Sequence, residues 1–202
     1  MKILYALAGV ILLLAGCSGT EDLGDVNVPP VVGQIPGCQA AASGQDMDNT
    51  ICIQLQTGLV VVKLLPDLAP NHVERIKTLA RQGFYNGHKF HRVIDGFMAQ
   101  TGDPTGTGTG GSSLPNLAAE FSDRPFTRGV VGMARGPDTN SANSQFFFMF
   151  ANGDWLNGQY TVIGEVIFGM ETIDGITKGD PGSGTVTNPD IMIQMQVAAD
   201  AA

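Results

Sequence analysis

Within residues 90–100, Arg92 lies close to Phe97, Met98 and Gln100. Arg92 is a cation at every physiological pH, Phe97 and Met98 are bulky and apolar, and Gln100 supplies one amide. A fixed charge beside apolar side chains offers electrostatic stabilisation and binding, with no nucleophile and no titrating group. An arginine on a strand is more often a solvated residue or half of an ion pair, so the rest of the chain must decide. Asp95-Gly96 stands between two short apolar runs, 89–94 and 97–101. Asp-Gly so placed predicts a hairpin, with Arg92 on one strand and Met98 and Gln100 on the other. Alternation sends Met98 and Gln100 to one face and Phe97 to the other, unless a bulge or twist at the turn intervenes.

Other chemistries lack their parts. Residues 106–111 fit Gly-x-Gly-x-x-Gly, but a dinucleotide fingerprint must open a helix. Pro115 stands where helix interior would be, so 102–116 is read as a long flexible loop. The three histidines are His72, His88 and His91. His88 and His91, three apart on a strand, face opposite ways without a nearby Glu or Cys, so they are read as structural or surface groups and no metal is expected. No Gly-x-Ser-x-Gly elbow, P-loop, His-Glu-x-x-His or Cys-x-x-Cys occurs, so hydrolase and dithiol chemistry lack their reacting groups. The formal charge of −8 disfavours nucleic acid and anionic headgroups.

The amino terminus has its own logic. Lys2, the apolar run 3–15 and the small residues before Cys17 read as a signal peptide over 1–16, too short for an ordinary membrane span. Leu14-Ala15-Gly16-Cys17 resembles the lipobox of bacterial lipoproteins, which implies lipidation of Cys17 and a membrane contact made through lipid alone. The expected location is the bacterial cell envelope, on the periplasmic face. Ser18, where an Asp would retain the protein at the inner membrane, favours the outer one. Residues 17–45 are then a lipidated terminus and flexible spacer, and 46–202 the folded domain. Cys38 and Cys52 are an even pair in an oxidising compartment, so a disulfide between them is expected. Closing a loop of that size contributes about 3 kcal/mol. In the run 51–56, Cys52 shares its face with Gln54 and Gln56 and is expected to point away from the core.

Runs 51–56 and 59–64 around Thr57-Gly58 predict a first hairpin. Val73, Ile76, Leu79 and Ala80 at helical spacing predict a helix over 71–82, stopped at Gly83. After the central hairpin come strands at 130–134 and 145–150, a strand or strand pair over 159–168, a short helix over 170–178, and a closing strand over 190–197. In that last strand Ile191, Ile193, Met195 and Val197 alternate inward. Many short strands with two helices indicate a mainly β chain, an antiparallel barrel or sandwich.

Several ordered blocks now become specific: Phe90-His91-Arg92-Val93-Ile94, Gly96-Phe97-Met98-x-Gln100-x-Gly102-Asp103, Gly108-Thr109-Gly110-Gly111, Met133-Ala134, Asn143-Ser144-Gln145-Phe146-Phe147, Trp155-Leu156 and Gly164-Glu165-Val166. In that order they resemble the signature of the cyclophilins, peptidyl-prolyl cis-trans isomerases, across about 49–197. The resemblance implies a closed eight-stranded antiparallel β-barrel capped by two α-helices, with a groove on its outer surface and no cofactor. It implies Arg92 as the catalytic residue and Phe97, Met98, Phe147 and Leu156 as the proline pocket. Gln100 and Gln145 would orient the substrate backbone, Gly108 and Ala134 would line the groove as small residues, and Trp155 would be the rim residue associated with cyclosporin-type ligands. Tyr160 stands where many members carry His and is assigned to binding. Asp95 replaces a frequent Pro and Pro104 a frequent aromatic, and the spacing from Met133 to Gln145 is one residue longer than in the shortest members, which leaves Gly136 unassigned.

The function so implied is isomerisation of X–Pro bonds in exported or envelope proteins, assisting their folding. The expected partners are proline-containing polypeptides, met by a monomer. The alternative is a lipid-anchored module that binds proline segments with little turnover. A lipid-tethered scaffold has no sequence signal beyond the tether.

Overall fold

The β-branched runs either side of Thr57-Gly58 pair as β1 (Thr50–Leu55) and β2 (Gly58–Leu64) in a computed structural model that describes residues 33–201. The signal-like run 1–16, the lipidation motif at Cys17 and the part of the spacer up to residue 32 lie outside the described residues. Among the described residues no helix is long and apolar enough to cross a membrane.

Residues 38–41, assigned by composition to the spacer, form a short helix α1 (Cys38–Ala41). A disulfide joins Cys38 to Cys52 across a Cα separation of 5.7 Å. Cys52 does leave β1 on the side away from the main core. It is nonetheless fully buried, in a second apolar cluster with Ile35, Ala42, Val61 and Ala198.

The amphipathic helix is α2 (Pro70–Arg81), and its predicted face of Val73, Ile76, Leu79 and Ala80 enters the main core. Pro70 at its first turn suits a position that needs no N–H, and Gly83 ends it with φ at 65°. Beyond it run β3 (Arg92–Ile94), β4 (Met98–Thr101), β5 (Val130–Met133), β6 (Phe146–Met149), β7 (Val162–Phe168), α3 (Met170–Asp174) and β8 (Met192–Val197). Region 159–168 therefore holds one strand. The second helix is shorter than expected: its C-cap is Gly175.

All eight strands form one antiparallel sheet in the order β3-β4-β6-β5-β7-β2-β1-β8. The sheet curls into a half-barrel instead of the closed barrel expected. Its end strands β3 and β8 share no ladder; the chain just before β3 meets the start of β8 through an isolated bridge, Lys89 with Ile191, and a bond from Gly87 N–H to Met192 O at 2.7 Å. The reason is that another segment takes the edge of β3: Val93 N–H donates to Gly184 O at 2.7 Å and Val93 O accepts from Gly179 N–H at 2.9 Å. An edge whose backbone groups are satisfied by a loop has no donors left for a strand.

The strand β8 also departs from its expected alternation. A register shift against β1 between Gln54 and Leu55 pairs Leu55 with Met192. Met192 is fully buried while Ile191 and Ile193 are 36% and 47% exposed. One slipped residue inverts the faces of everything beyond it.

Candidate active site

Strand β6 explains why a pocket forms on the outside of this sheet. Its four residues Phe146–Met149 are all buried, because the strand is covered on both faces. Phe146 and Phe148 point into the main core, while Phe147 and Met149 join a separate cluster with Met98, Phe126, Val130, Leu156 and Val162. Neighbouring strands divide the same way: Val93 and Ala99 go inward, and Arg92, Met98 and Gln100 go to the outer face.

On this outer apolar floor sits a hollow of about 460 Å³. Arg92, Phe97, Met98, Gln100, Ala134, Phe147, Trp155, Leu156 and Tyr160 line it, together with Arg135 and Gln159. Gly108 and Gln145, the two remaining residues assigned to the groove, line an adjoining hollow of about 560 Å³ that also holds Gly136 and shares Gln100, Ala134 and Arg135.

Phe97 reaches this face through the turn. Ile94 pairs with Met98, so the hairpin loop is three residues long, with Gly96 at φ 68° and Phe97 N–H donating to Ile94 O at 3.0 Å. Phe97 thus belongs to the turn, outside the strand alternation, and its ring packs 5.4 Å from Trp155. Trp155 is 65% exposed and forms a rim, whereas Leu156 is buried as floor. Tyr160 stands edge-on to Phe147 at 6.0 Å.

Polar side chains fix the cation. Arg92 and Gln100 are cross-strand partners, and the guanidinium donates to Gln100 Oε1 at 3.4 Å and through Nε to Ser183 O at 3.2 Å. Gln100 Nε2 in turn donates to Gln145 Oε1 at 2.8 Å, and Gln145 Nε2 donates to Gly108 O at 3.1 Å and Gly110 O at 2.8 Å. A chain of amides therefore runs from the guanidinium to the Gly-rich loop. No carboxylate pairs with Arg92 among the described residues.

That loop is organised around Asp103. Its carboxylate, almost fully buried, accepts from the N–H groups of Thr105, Thr107, Gly108 and Gly110 and from the Thr105 hydroxyl. Burial alone would raise its pKa, but the bonds from Thr105, Gly110 and Gly108 outweigh it and hold the carboxyl down at about 2. The expectation of a flexible loop is thus corrected by one side chain that ties its backbone inward.

The histidines are all buried. Burial lowers the pKa of both His88 and His91, against the pull of Asp103. His72 meets Glu120 at 2.6 Å, and the same carboxylate accepts the free N–H groups of Asn71 and His72 at the start of α2. Sequence reasoning missed Glu120, as it missed Gly132, Arg135 and Gln159 at the groove. Gly132 faces Phe147 across β5 and β6, where an added Cβ would lie 2.5 Å from the Phe126 ring and 2.6 Å from that of Phe147. Only a missing side chain lets the pocket ring lie there.

The curled eight-stranded sheet with this outer hollow has relatives among known proteins. A family model for cyclophilin-type peptidyl-prolyl cis-trans isomerases matches residues 50–197. The chain is a cyclophilin.

A probable peptidyl-prolyl cis-trans isomerase of Brucella suis is 52% identical over 176 residues, covering 81% of this chain and 90% of that one. The human peptidylprolyl isomerase domain and WD repeat-containing protein 1 is 36% identical over 170 residues, which cover 80% of this chain but 25% of that longer protein. Among solved structures, a cyclophilin from Hirschia baltica superposes with a TM-score of 0.70 at 29% identity, covering 78% of this chain and 76% of that one. A cyclophilin-type isomerase of Cryptosporidium parvum, crystallised in the presence of the dipeptide Ala-Pro, gives 0.67 at 28% identity over 73% of this chain and 98% of that one. The cyclophilin is accordingly a peptidyl-prolyl cis-trans isomerase.

Proposed function

We propose that this isomerase turns X–Pro bonds of exported polypeptides at the cell envelope, with Arg92 as its catalytic cation. The observation that carries the reading is a guanidinium that has no carboxylate partner among the described residues and stands on the wall of an apolar hollow, oriented by Gln100 and Ser183 O.

Amide conjugation gives the X–Pro bond a rotational barrier of about 18–20 kcal/mol. As the bond twists, the proline nitrogen becomes pyramidal and recovers a lone pair. A fixed guanidinium stabilises that lone pair more than it stabilises the planar ground state, which is the difference that accelerates a reaction. Phe97, Met98, Phe147, Leu156 and Tyr160 hold the proline ring, and Trp155 closes the rim, where a cyclosporin-type ligand would also sit. Ala134 and Gly108 keep the groove open for the peptide, and Gln145 orients its backbone. Gln100 positions Arg92. Arg suits the task better than Lys because its planar fork stays charged and is held by several bonds at once.

Lys2, the apolar run after it and the Leu14–Cys17 motif support export and lipidation of Cys17, and the Cys38–Cys52 disulfide fits an oxidising compartment. The enzyme then works as a lipid-anchored monomer facing the periplasm, assisting the folding of proline-containing clients. Two measurements test this. The wild-type chain must accelerate exchange of an Ala-Pro peptide, and expression with radiolabelled palmitate must label the wild type but not Cys17→Ala. Unlabelled wild-type protein recovered in the cytoplasm removes the envelope role and leaves the isomerase.

A further inference from the structure

Arg135 stands on the ridge between the two hollows and lines both. Its guanidinium lies 4.5 Å over the Tyr160 ring, with Nε and Nη2 donating to Gln159 O at 3.3 and 2.9 Å and Nη1 to Gly136 O at 2.9 Å and Pro137 O at 3.4 Å. Carbonyl dipoles fix that charge without cancelling it. Elsewhere in this acidic chain Arg81, Arg124 and Arg128 each have a carboxylate partner. Among the described residues Arg75, Arg92 and Arg135 have none, and of these Arg75 lines neither hollow. No Asp or Glu lines the smaller hollow, and the larger one has a single carboxylate, Asp138, whose Oδ1 already accepts from Asn140 N–H. Two cations against one carboxylate therefore leave the groove net positive on a protein of net charge −8, and a groove with apolar walls concentrates that field.

We propose that Arg135 is a specificity-determining residue that favours proline segments carrying Asp or Glu beside the proline over those carrying Lys or Arg. The inference rests on the isomerase reading and adds the substrate class. Arg92 acts at the imide nitrogen, and Arg135 acts on the neighbouring side chain.

The test compares three tetrapeptides that differ only in having Glu, Gln or Lys before proline, with exchange rates measured by NMR on the full chain. In the wild type, kcat/KM for the Glu peptide exceeds that for the Lys peptide by about fivefold at low salt, and the gap narrows as salt is added. Arg135→Gln collapses the Glu-to-Lys ratio and Arg135→Glu inverts it, each ratio being read within one variant against its own rate on the Gln peptide. An equal loss on all three peptides would mean that Arg135 only braces Tyr160 and Gln159, and would overturn the proposal. An unchanged Glu-to-Lys ratio would do the same. A wild type inert on every peptide would instead sink the isomerase reading itself.

Discussion

Arg92 and Gln100 stand directly opposite one another on β3 and β4, and their side chains meet on the outer face, guanidinium to amide oxygen at 3.4 Å. Because Gln100 spends its N–H on Gln145, its oxygen is fixed toward the arginine. The acceptor orients the cation without neutralising it.

Gln100→Leu keeps the wall filled and removes that acceptor. The expected result is kcat lowered roughly tenfold with KM nearly unchanged, since a misdirected charge costs transition-state stabilisation more than binding. Saturation kinetics on one proline peptide separate the two parameters.

Gly132→Ala drives a methyl into the Phe126 and Phe147 rings. Overpacking of this kind costs about 1–3 kcal/mol, and displacing Phe147 raises KM. Urea unfolding together with KM on the same peptide checks both effects. A fully stable variant with normal KM would show that Phe147 is not a fixed wall.

Asp103→Asn tests the loop. A carboxyl at about 2 in the fold against an ordinary 3.8 contributes about 2 kcal/mol of stability at neutral pH. Since the folded value is depressed, that contribution is complete above about pH 4 and disappears as pH falls toward about 2. The gap between wild type and variant in urea midpoints is expected to close over that interval.

The rate itself is expected to be flat from about pH 6.5 to 8, because no step moves a proton. His88 and His91, lowered by burial, stay neutral in the fold there. Below about 6.5 the unfolded chain binds protons that the folded one refuses, so stability present above that pH declines with acidity. A pH-rate profile with parallel unfolding curves distinguishes the two, and a bell-shaped rate would mark acid–base chemistry.

What could be read from the chain was what local pattern controls. Helix α2 follows from Val73, Ile76, Leu79 and Ala80, and the first hairpin from β-branched runs around Thr57-Gly58. Most of the residues that line the outer hollow fall in the motif blocks, while Arg135 and Gln159 do not. What escaped depends on partners far along the chain. Nothing local reveals that Gly184 takes the edge of β3, that a slip against β1 turns Ile191 and Ile193 outward, or that Glu120 caps α2 from 48 residues away. Asp103 falls within a motif block, yet side chain-to-backbone bonds leave no hydrophobic period, so the composition of its loop alone predicts mobility.

The most direct measurement is exchange spectroscopy of an Ala-Pro peptide on wild type and Arg92→Ala at saturating peptide, with the dissociation constant determined alongside. The account predicts on-enzyme interconversion slowed at least about tenfold while the peptide still binds and the variant stays folded. Interconversion at the wild-type rate without the guanidinium would contradict it.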